Sequence, residues 1–299
     1  MIKQISVKFT TYNVENLFDK FDDPFKDDGP PKPEREKIAL ANVLKSLNSD
    51  IIALQEVENK QIVEEVLALA GMKDRYNVIV GKSDGRGIAC ALLIDKKYPI
   101  KKYSINEGEN VFYRPPVEAV IELAPGFDVK IFSVHFKAKM DNNSQEKRER
   151  EAKRTIELAK KENAPTIIMG DFNDLPGSKV SELFESNNFV DVRKFDKLSK
   201  DVDTPTHFSF VKTHTSFVKI NFSFKNLSFL YKEGYNMELN EESKVKPSIV
   251  DYIRISYNLK NYVIQGSFDV LEKNENPDVL LTSDHRPVSV NFNIEGIFK

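Results

Sequence analysis

One cysteine and no tryptophan occur among the 299 residues, so an internal disulfide and a cysteine-rich zinc site are both excluded. The single thiol, Cys90, lies in "GIACALLI" and reads as a small core residue. No apolar stretch approaches the ~20 residues a membrane helix needs, and the opening "MIKQISVKFTTYNVENLF" holds no long one, so neither a span nor a leader is expected. An excess of one charge is missing as well. Lys and Arg number 44 against 46 Asp and Glu, a net charge of −2, which rules out a global positive field holding nucleic acid non-specifically. A polyanionic substrate would have to be caught locally or through metal ions. HExxH and GxxxxGK[ST] are absent, which sets aside zinc hydrolases and P-loop enzymes. Glutamine is scarce beside abundant Lys and Glu, a bias found in heat-adapted proteins. A cytoplasmic, reducing setting and a monomer are the simplest expectations. No repeat, low-complexity tract or linker divides the chain.

What is present is an alternation of short apolar, β-branched runs with longer amphipathic segments, an α/β pattern. "ISVKFTTYNV", "DIIALQEV", "YNVIVG", "GIACALLID", "VEAVIELA", "VKIFSVHF", "PTIIMGDF", "IVDYIRIS" and "PVSVNFN" read as strands, several of them apolar on both faces. "PEREKIALANVLKSL" reads as a helix with Pro33 in its first turn and Ile38, Ala41, Leu44 and Leu47 on one stripe. "NKQIVEEVLALAG" reads as a helix stopped at Gly71. A third is expected over about Asn143 to Glu162, with Asn143 and Glu146 at capping-box spacing and Ala152, Ile156 and Ala159 inward. "SKVSELFESN" is a helix that Ser178 would cap. Residues 203–235 are rich in Phe, Lys and Thr, and Ile220, Phe222 and Phe224 alternate as on a strand; a hairpin with an aromatic core face is expected there. His207 and His214 fall in this segment. Neither has an acidic neighbour in sequence to orient it, and neither is given a role.

Several buried strands end in polar residues. "IIALQE" delivers Glu56, "IIMGDFN" delivers Asp171 and Asn173, "IFSVH" delivers His135, "FTTYN" delivers Asn13, and "TSDH" opens the last strand with Asp284 and His285. A carboxylate directly after four or five buried residues is unfavourable unless its charge is compensated. One ion pair accounts for one strand; for the whole set, strand ends gathered around a hard cation is the simpler explanation. Asn13, Glu56, Asp171, Asn173 and Asp284 are all oxygen donors, which suits Mg²⁺ or Mn²⁺. Histidines beside such a centre suit acid–base work. Asp251, a lone acid in "IVDYIRIS", would hold the ring of His285 as the acid of a triad holds its imidazole.

In order along the chain, "TYNVENLF", "LQEVEN", "VHFKAK", "GDFND", "VDYIRIS" and "SDHRPV" resemble the motifs of the endonuclease/exonuclease/phosphatase superfamily, the deoxyribonuclease I-like fold. The resemblance runs from Asn13 to His285 and implies one catalytic domain over residues 1–299. The implied fold is a four-layer α/β/β/α sandwich of two packed mixed sheets flanked by helices. By resemblance, Glu56 is the principal Mg²⁺ ligand, with Asn13 close to metal and phosphate and Asp284 a further ligand. Asp171 and Asn173 resemble the residues that place the nucleophilic water and bind phosphate or a second metal. His285 resembles the general base or phosphate-contacting histidine, and His135 the histidine on the leaving-group side. Arg114 in "FYRPP" resembles an arginine directed at the phosphate, and Glu15 an acid near the metal.

Departures from the family pattern are also legible. Where deoxyribonuclease-type members place a glutamate partner for the first histidine, this chain reads "DGRGIACALLID". Abasic-site endonucleases commonly carry Trp, absent here, and Asn173 is followed by Asp174 and Leu175 rather than by the Tyr-Arg of inositol phosphatases. The expected activity is metal-dependent hydrolysis of phosphate esters by direct water attack, nuclease first, with nucleic acid as substrate. A phosphodiesterase or phosphatase of small or lipid phosphates is second, and a non-catalytic binding protein on the same fold third.

Overall fold

The structure, a computed structural model, describes residues 6–139, 143–212, 243–272 and 274–294. Two six-stranded sheets carry it. The first contains β1 (Ser6–Leu17), β2 (Ile51–Val57), β3 (Tyr76–Val80), β4 (Ala89–Asp95), β13 (Asp269–Val270) and β14 (Val288–Asn293), in the order β13-β14-β1-β2-β4-β3. The second contains β5 (Ile100–Ser104), β6 (Val117–Ala124), β7 (Phe127–His135), β8 (Thr166–Asp171), β9 (Phe189–Asp191) and β12 (Asp251–Ser256), in the order β5-β6-β7-β8-β12-β9. β1 with β2 and β7 with β8 are parallel, and their neighbours run antiparallel. A ribbon of β10 (His207–Lys212) and β11 (Ser243–Ser248) stands apart from both sheets.

Each central strand is apolar on both faces because each face meets a different layer. In β2, Ile51 and Ala53 enter the core between the sheets, while Ile52 and Leu54 meet α1 (Glu34–Leu47) and α2 (Lys60–Leu69). In β8, Ile167 and Met169 enter the inter-sheet core, and Ile168 meets α3 (Ser144–Lys160) and α4 (Lys179–Ser186). The period-two alternation of a strand divides its apolar residues between the two layers. The result is the expected α/β/β/α sandwich.

Local details differ from the sequence reading in places. On α1, Ala41, Leu44 and Leu47 are buried, but Ile38 is exposed; Leu40 and Val43 complete the stripe instead. Ser178 does cap α4, accepting the Ser181 N–H at 3.2 Å. Asn143 starts α3 without a side-chain cap bond, its backbone carbonyl accepting from Lys147 at 3.1 Å. Its φ of −93° and ψ of −4° are already helical, whereas a capping box needs an extended residue there. Ile220, Phe222, Phe224 and His214 lie outside the described residues.

Candidate active site

Strand direction gathers the polar ends at one rim. β7 runs parallel to β8 and β12 antiparallel to it, so the last residue of β7, the last of β8 and the first of β12 fall in one row: His135, Asp171 and Asp251 are register partners. In the other sheet β1 and β2 run parallel, setting Asn13 beside Gln55. β14 returns antiparallel to β1, with Val288 opposite Thr11, so the segment before it brings Asp284 and His285 to the same rim. Beneath this rim the sheets are tied by polar contacts. The Gln55 amide donates to Ser133 Oγ at 3.3 Å, and Ser133 donates to the Leu54 carbonyl at 3.1 Å.

Irregular backbone then aims the side chains. The β1–β2 register shifts between Asn13 and Leu17, and the β2–β4 register shifts at Gln55–Val57. Across these bulges Glu15, Asn16 and Glu56 have positive φ (48°, 51° and 64°), and Asn173 has φ 50°. Asparagine tolerates this region, whereas glutamate there is strained, and bulges of this kind re-aim side chains at functional rims. Gly170, just before Asp171, has φ +153°, and a Cβ on it would lie 1.9 Å from the Val134 carbonyl oxygen, so only glycine lets β8 run this close to β7.

One carboxylate oxygen is the hub. Asp171 Oδ2 accepts from Asn13 Nδ2 at 3.1 Å and Asn173 Nδ2 at 3.2 Å, and lies 3.5 Å from His135 Nε2 and 3.7 Å from His285 Nε2. Asp171 Oδ1 accepts the Asn173 N–H at 2.8 Å. His285 Nδ1 lies 2.8 Å from Asp251 Oδ2. Glu56 accepts from Asn13 Nδ2 at 3.3 Å and from the Asn16 N–H at 3.0 Å. Asn13 and Asn173 thus present their amide nitrogens to the carboxylates of Glu56 and Asp171. Glu15, beside them, accepts the Asp284 N–H at 3.3 Å.

The charges here are poorly balanced among themselves. Burial, and then the nearby Asp284 carboxylate, push Glu15 up to about 7 despite the Lys32 ammonium. Burial also pushes Asp171 up to about 6, with His285 opposing and Asp251 adding to the rise. Burial alone would lower the His285 imidazole, but contact with Asp251 and the carboxylates of Asp171 and Asp284 carry it well above its ordinary value. His135 moves the other way: burial, then the charges of Arg114, His285 and Arg86, hold it well below. Its Nδ1 is buried and has no hydrogen-bond partner among the described residues. Two imidazoles facing one carboxylate oxygen are therefore pushed in opposite directions. An acidic cluster with this excess, lined by carboxylate oxygens, fits a divalent cation.

Glu15, Glu56, His135, Asp171, Asn173, Asp284 and His285 line a pocket of about 310 Å³ that also includes Arg86, Tyr113, Arg114, Lys137 and His207. Arg114 is buried and its guanidinium anchored, pairing with Asp84 at 3.0 Å and donating to the His135 and Phe136 carbonyls at 3.2 and 2.9 Å. It braces the end of β7 from the pocket wall. His207, given no role from sequence, has an acidic partner in space: its Nε2 is 3.4 Å from Asp284 Oδ2. The partner is 77 positions away, so no local signal could have shown it. Arg86 in "DGRG", Tyr113 in "FYRPP" and Lys137 in "VHFKAK" sit inside quoted motifs, and position within the motif was the available cue.

Comparison with known proteins bears on the fold and the family. Three solved structures share the fold at low identity. One is an endonuclease/exonuclease/phosphatase from Bacteroides vulgatus (19% identity, TM-score 0.62, covering 98% of this chain and 100% of that one). Another is an endonuclease/exonuclease/phosphatase family protein from Leptotrichia buccalis (17%, 0.61, 96% and 100%). The third is a humanized D. rerio TDP2 (14%, 0.62, 96% and 99%). Among curated protein sequences none matches the chain. The sequence profile of the Endonuclease/Exonuclease/phosphatase family matches residues 10–253, and the chain belongs to that family.

Proposed function

We propose that this protein is a divalent-metal-dependent nuclease that cleaves phosphodiester bonds of nucleic acid by direct water attack, its catalytic domain spanning the chain. The carrying observation is Asp171 Oδ2, approached by nitrogens of Asn13, Asn173, His135 and His285 from separate elements. Family and fold imply a phosphoester hydrolase, and the nuclease assignment narrows that. Glu56 and Asp284, with Glu15 beside them, would hold Mg²⁺ or Mn²⁺, which supplies charge neutralisation at a phosphate oxygen.

The chain's own residues do the rest. Asp171 accepts a proton from the attacking water, while Asn13 and Asn173 fix the carboxylate that receives it. Asp251 holds Nδ1 of His285 and so directs Nε2 toward the reacting phosphate. His135, favoured toward its neutral form by burial, faces the same oxygen from the end of β7 and serves the leaving oxygen. Arg86 and Arg114 add positive charge to the wall facing the acids. Tyr113, 45% exposed with Lys137 Nζ 4.0 Å from its ring centroid, offers an aromatic face and a cation together, a combination that suits a stacked base.

A second reading, hydrolysis of small or lipid phosphates, draws on the pocket of about 310 Å³ and the net charge of −2. One panel separates them: plasmid DNA, abasic duplex, RNA, phospholipid head-group esters and inositol phosphates, each with Mg²⁺, Mn²⁺ or chelator. Metal-dependent cleavage of DNA or RNA is expected. Cleavage of head-group esters or inositol phosphates alone would replace the nuclease reading with the second, and inactivity on every substrate would leave a binding protein.

A further inference from the structure

A second cluster of ligand atoms lies on the outer side of His285. His207 opens β10 and is bridged to His285 through the backbone, and the two imidazoles pack with centroids 4.5 Å apart and planes inclined by 40°. Each ring has its Nδ1 occupied, His207 by Ser248 Oγ at 3.1 Å and His285 by Asp251 Oδ2 at 2.8 Å. Each turns Nε2 to the same carboxylate: His207 Nε2 lies 3.4 Å from Asp284 Oδ2, and His285 Nε2 lies 3.8 Å from Asp284 Oδ1. An imidazole held at Nδ1 by an oxygen has its ring orientation fixed and presents Nε2, the nitrogen that a metal takes in exchange for a proton. The ligand atoms of all three residues lie within 4.8 Å of one another. Two ligands about 2.1 Å from a tetrahedral ion stand about 3.4 Å apart, so the His207–Asp284 edge already has the spacing and a small rotation of His285 completes it.

We propose that His207, Asp284 and His285 form a binding site for a borderline transition cation, typified by Zn²⁺. Two imidazoles and one carboxylate favour such an ion over Mg²⁺, which takes oxygen ligands. The metal position around Glu56 has no nitrogen among its expected ligands, so the two sites select different ions and share the Asp284 carboxylate. A cation at His285 Nε2 takes the place of a proton there. It also withdraws from Asp171 the nitrogen that faces it at 3.7 Å, so occupancy by Zn²⁺ holds hydrolysis off. That last consequence rests on the hydrolytic reading; the site itself does not.

The test is calorimetric titration of the chelator-stripped full chain with Zn²⁺ in excess Mg²⁺, with the visible spectrum of Co²⁺-loaded protein recorded in parallel. One Zn²⁺ per chain is expected to bind despite the Mg²⁺. His207→Phe, which retains a ring against His285, should weaken that binding at least tenfold and alter the Co²⁺ bands. Ser248→Ala, which releases Nδ1 of His207, should weaken it by about tenfold or more. His207→Phe decides where it folds, as read by circular dichroism, and Ser248→Ala decides otherwise. Unchanged affinity and spectrum in the deciding variant, or no Zn²⁺ uptake by the wild type in excess Mg²⁺, overturns the site. Hydrolysis is scored separately: no Zn²⁺ uptake by the wild type, with its Mg²⁺-dependent cleavage present, removes this inference alone. Zn²⁺ binding by a protein that, stripped of Zn²⁺ and given Mg²⁺ or Mn²⁺ alone, leaves every substrate intact removes the hydrolytic reading alone.

Discussion

At Asp171 two amides and two imidazoles converge on a carboxylate oxygen that a folded protein has no structural need to crowd. If that oxygen receives the proton of the attacking water, Asp171→Ala and His285→Ala should each lower turnover by about 10²–10³, equivalent to ~3–4 kcal/mol of barrier. Steady-state rates check this, with thermal unfolding run alongside to establish that each variant is folded at the assay temperature. Full turnover in either would end the assignment. Cys90 offers a second test at this scale. It is fully buried, and burial pushes its thiol up to about 12, with Arg114 the main opposing influence. At pH 8 almost none of it is thiolate, so a thiol reagent should read no free sulfhydryl in the native protein and one per chain in guanidinium. Rapid modification without denaturant would contradict the packing of β4.

Among the elements, β7 and β8 pair in parallel with Gly170 opposite Val134. Gly170→Ala would force a methyl group into the Val134 carbonyl, and a loss of at least about 3 kcal/mol is expected in urea unfolding. A change under 1 kcal/mol would mean the strands are not so paired. The loop after β9 gives a pH test. Asp196 is fully buried, accepting backbone N–H groups of Phe268 at 2.8 Å and of Leu198 and Ser199 at 3.2 Å, with Gly266 also donating. Burial alone would raise its carboxyl, but these bonds hold it below the ordinary 3.8. Its contribution is therefore complete above that pH and disappears as pH falls through the lower folded value. Asp196→Asn should flatten the acid limb of the stability–pH curve, measured by denaturant midpoints between pH 2 and 5.

Strands such as β2, β8 and β12 were legible because both faces are buried and their apolar runs are continuous, and the polar residues at their ends stood out against that background. The bulges that turn Glu15, Asn16 and Glu56 through positive φ were not legible. A glutamate carries no sign of left-handed backbone; tertiary contacts impose it. His207 was missed for a related reason, since its partner Asp284 comes from another part of the chain. The missing partner of His135 was legible, because an absence of Glu across "DGRGIACALLID" can be read directly.

For the whole molecule, the near-neutral charge means substrate affinity must come from the pocket and its rim. If nucleic acid is bound there, affinity should fall steeply with salt, log K declining in proportion to the number of phosphates contacted, whereas a small phosphate ester should show a shallow response. Fluorescence anisotropy with a labelled oligonucleotide in chelator, from 50 to 300 mM salt, would read the slope. Among the described residues no helix is long and apolar enough to cross a membrane.

β1 lies inside its sheet, flanked by β2 on one side and by β14, whose residues follow more than two hundred positions later, on the other. While the chain is still emerging from the ribosome, that second flank is a bare row of amides and carbonyls ready to pair with any passing extended segment. Asn13 and His285 stand 272 positions apart, so no nascent segment shorter than that span can assemble both halves of the site. A message truncated before Val288 would yield a sticky, inert product rather than a weakened enzyme.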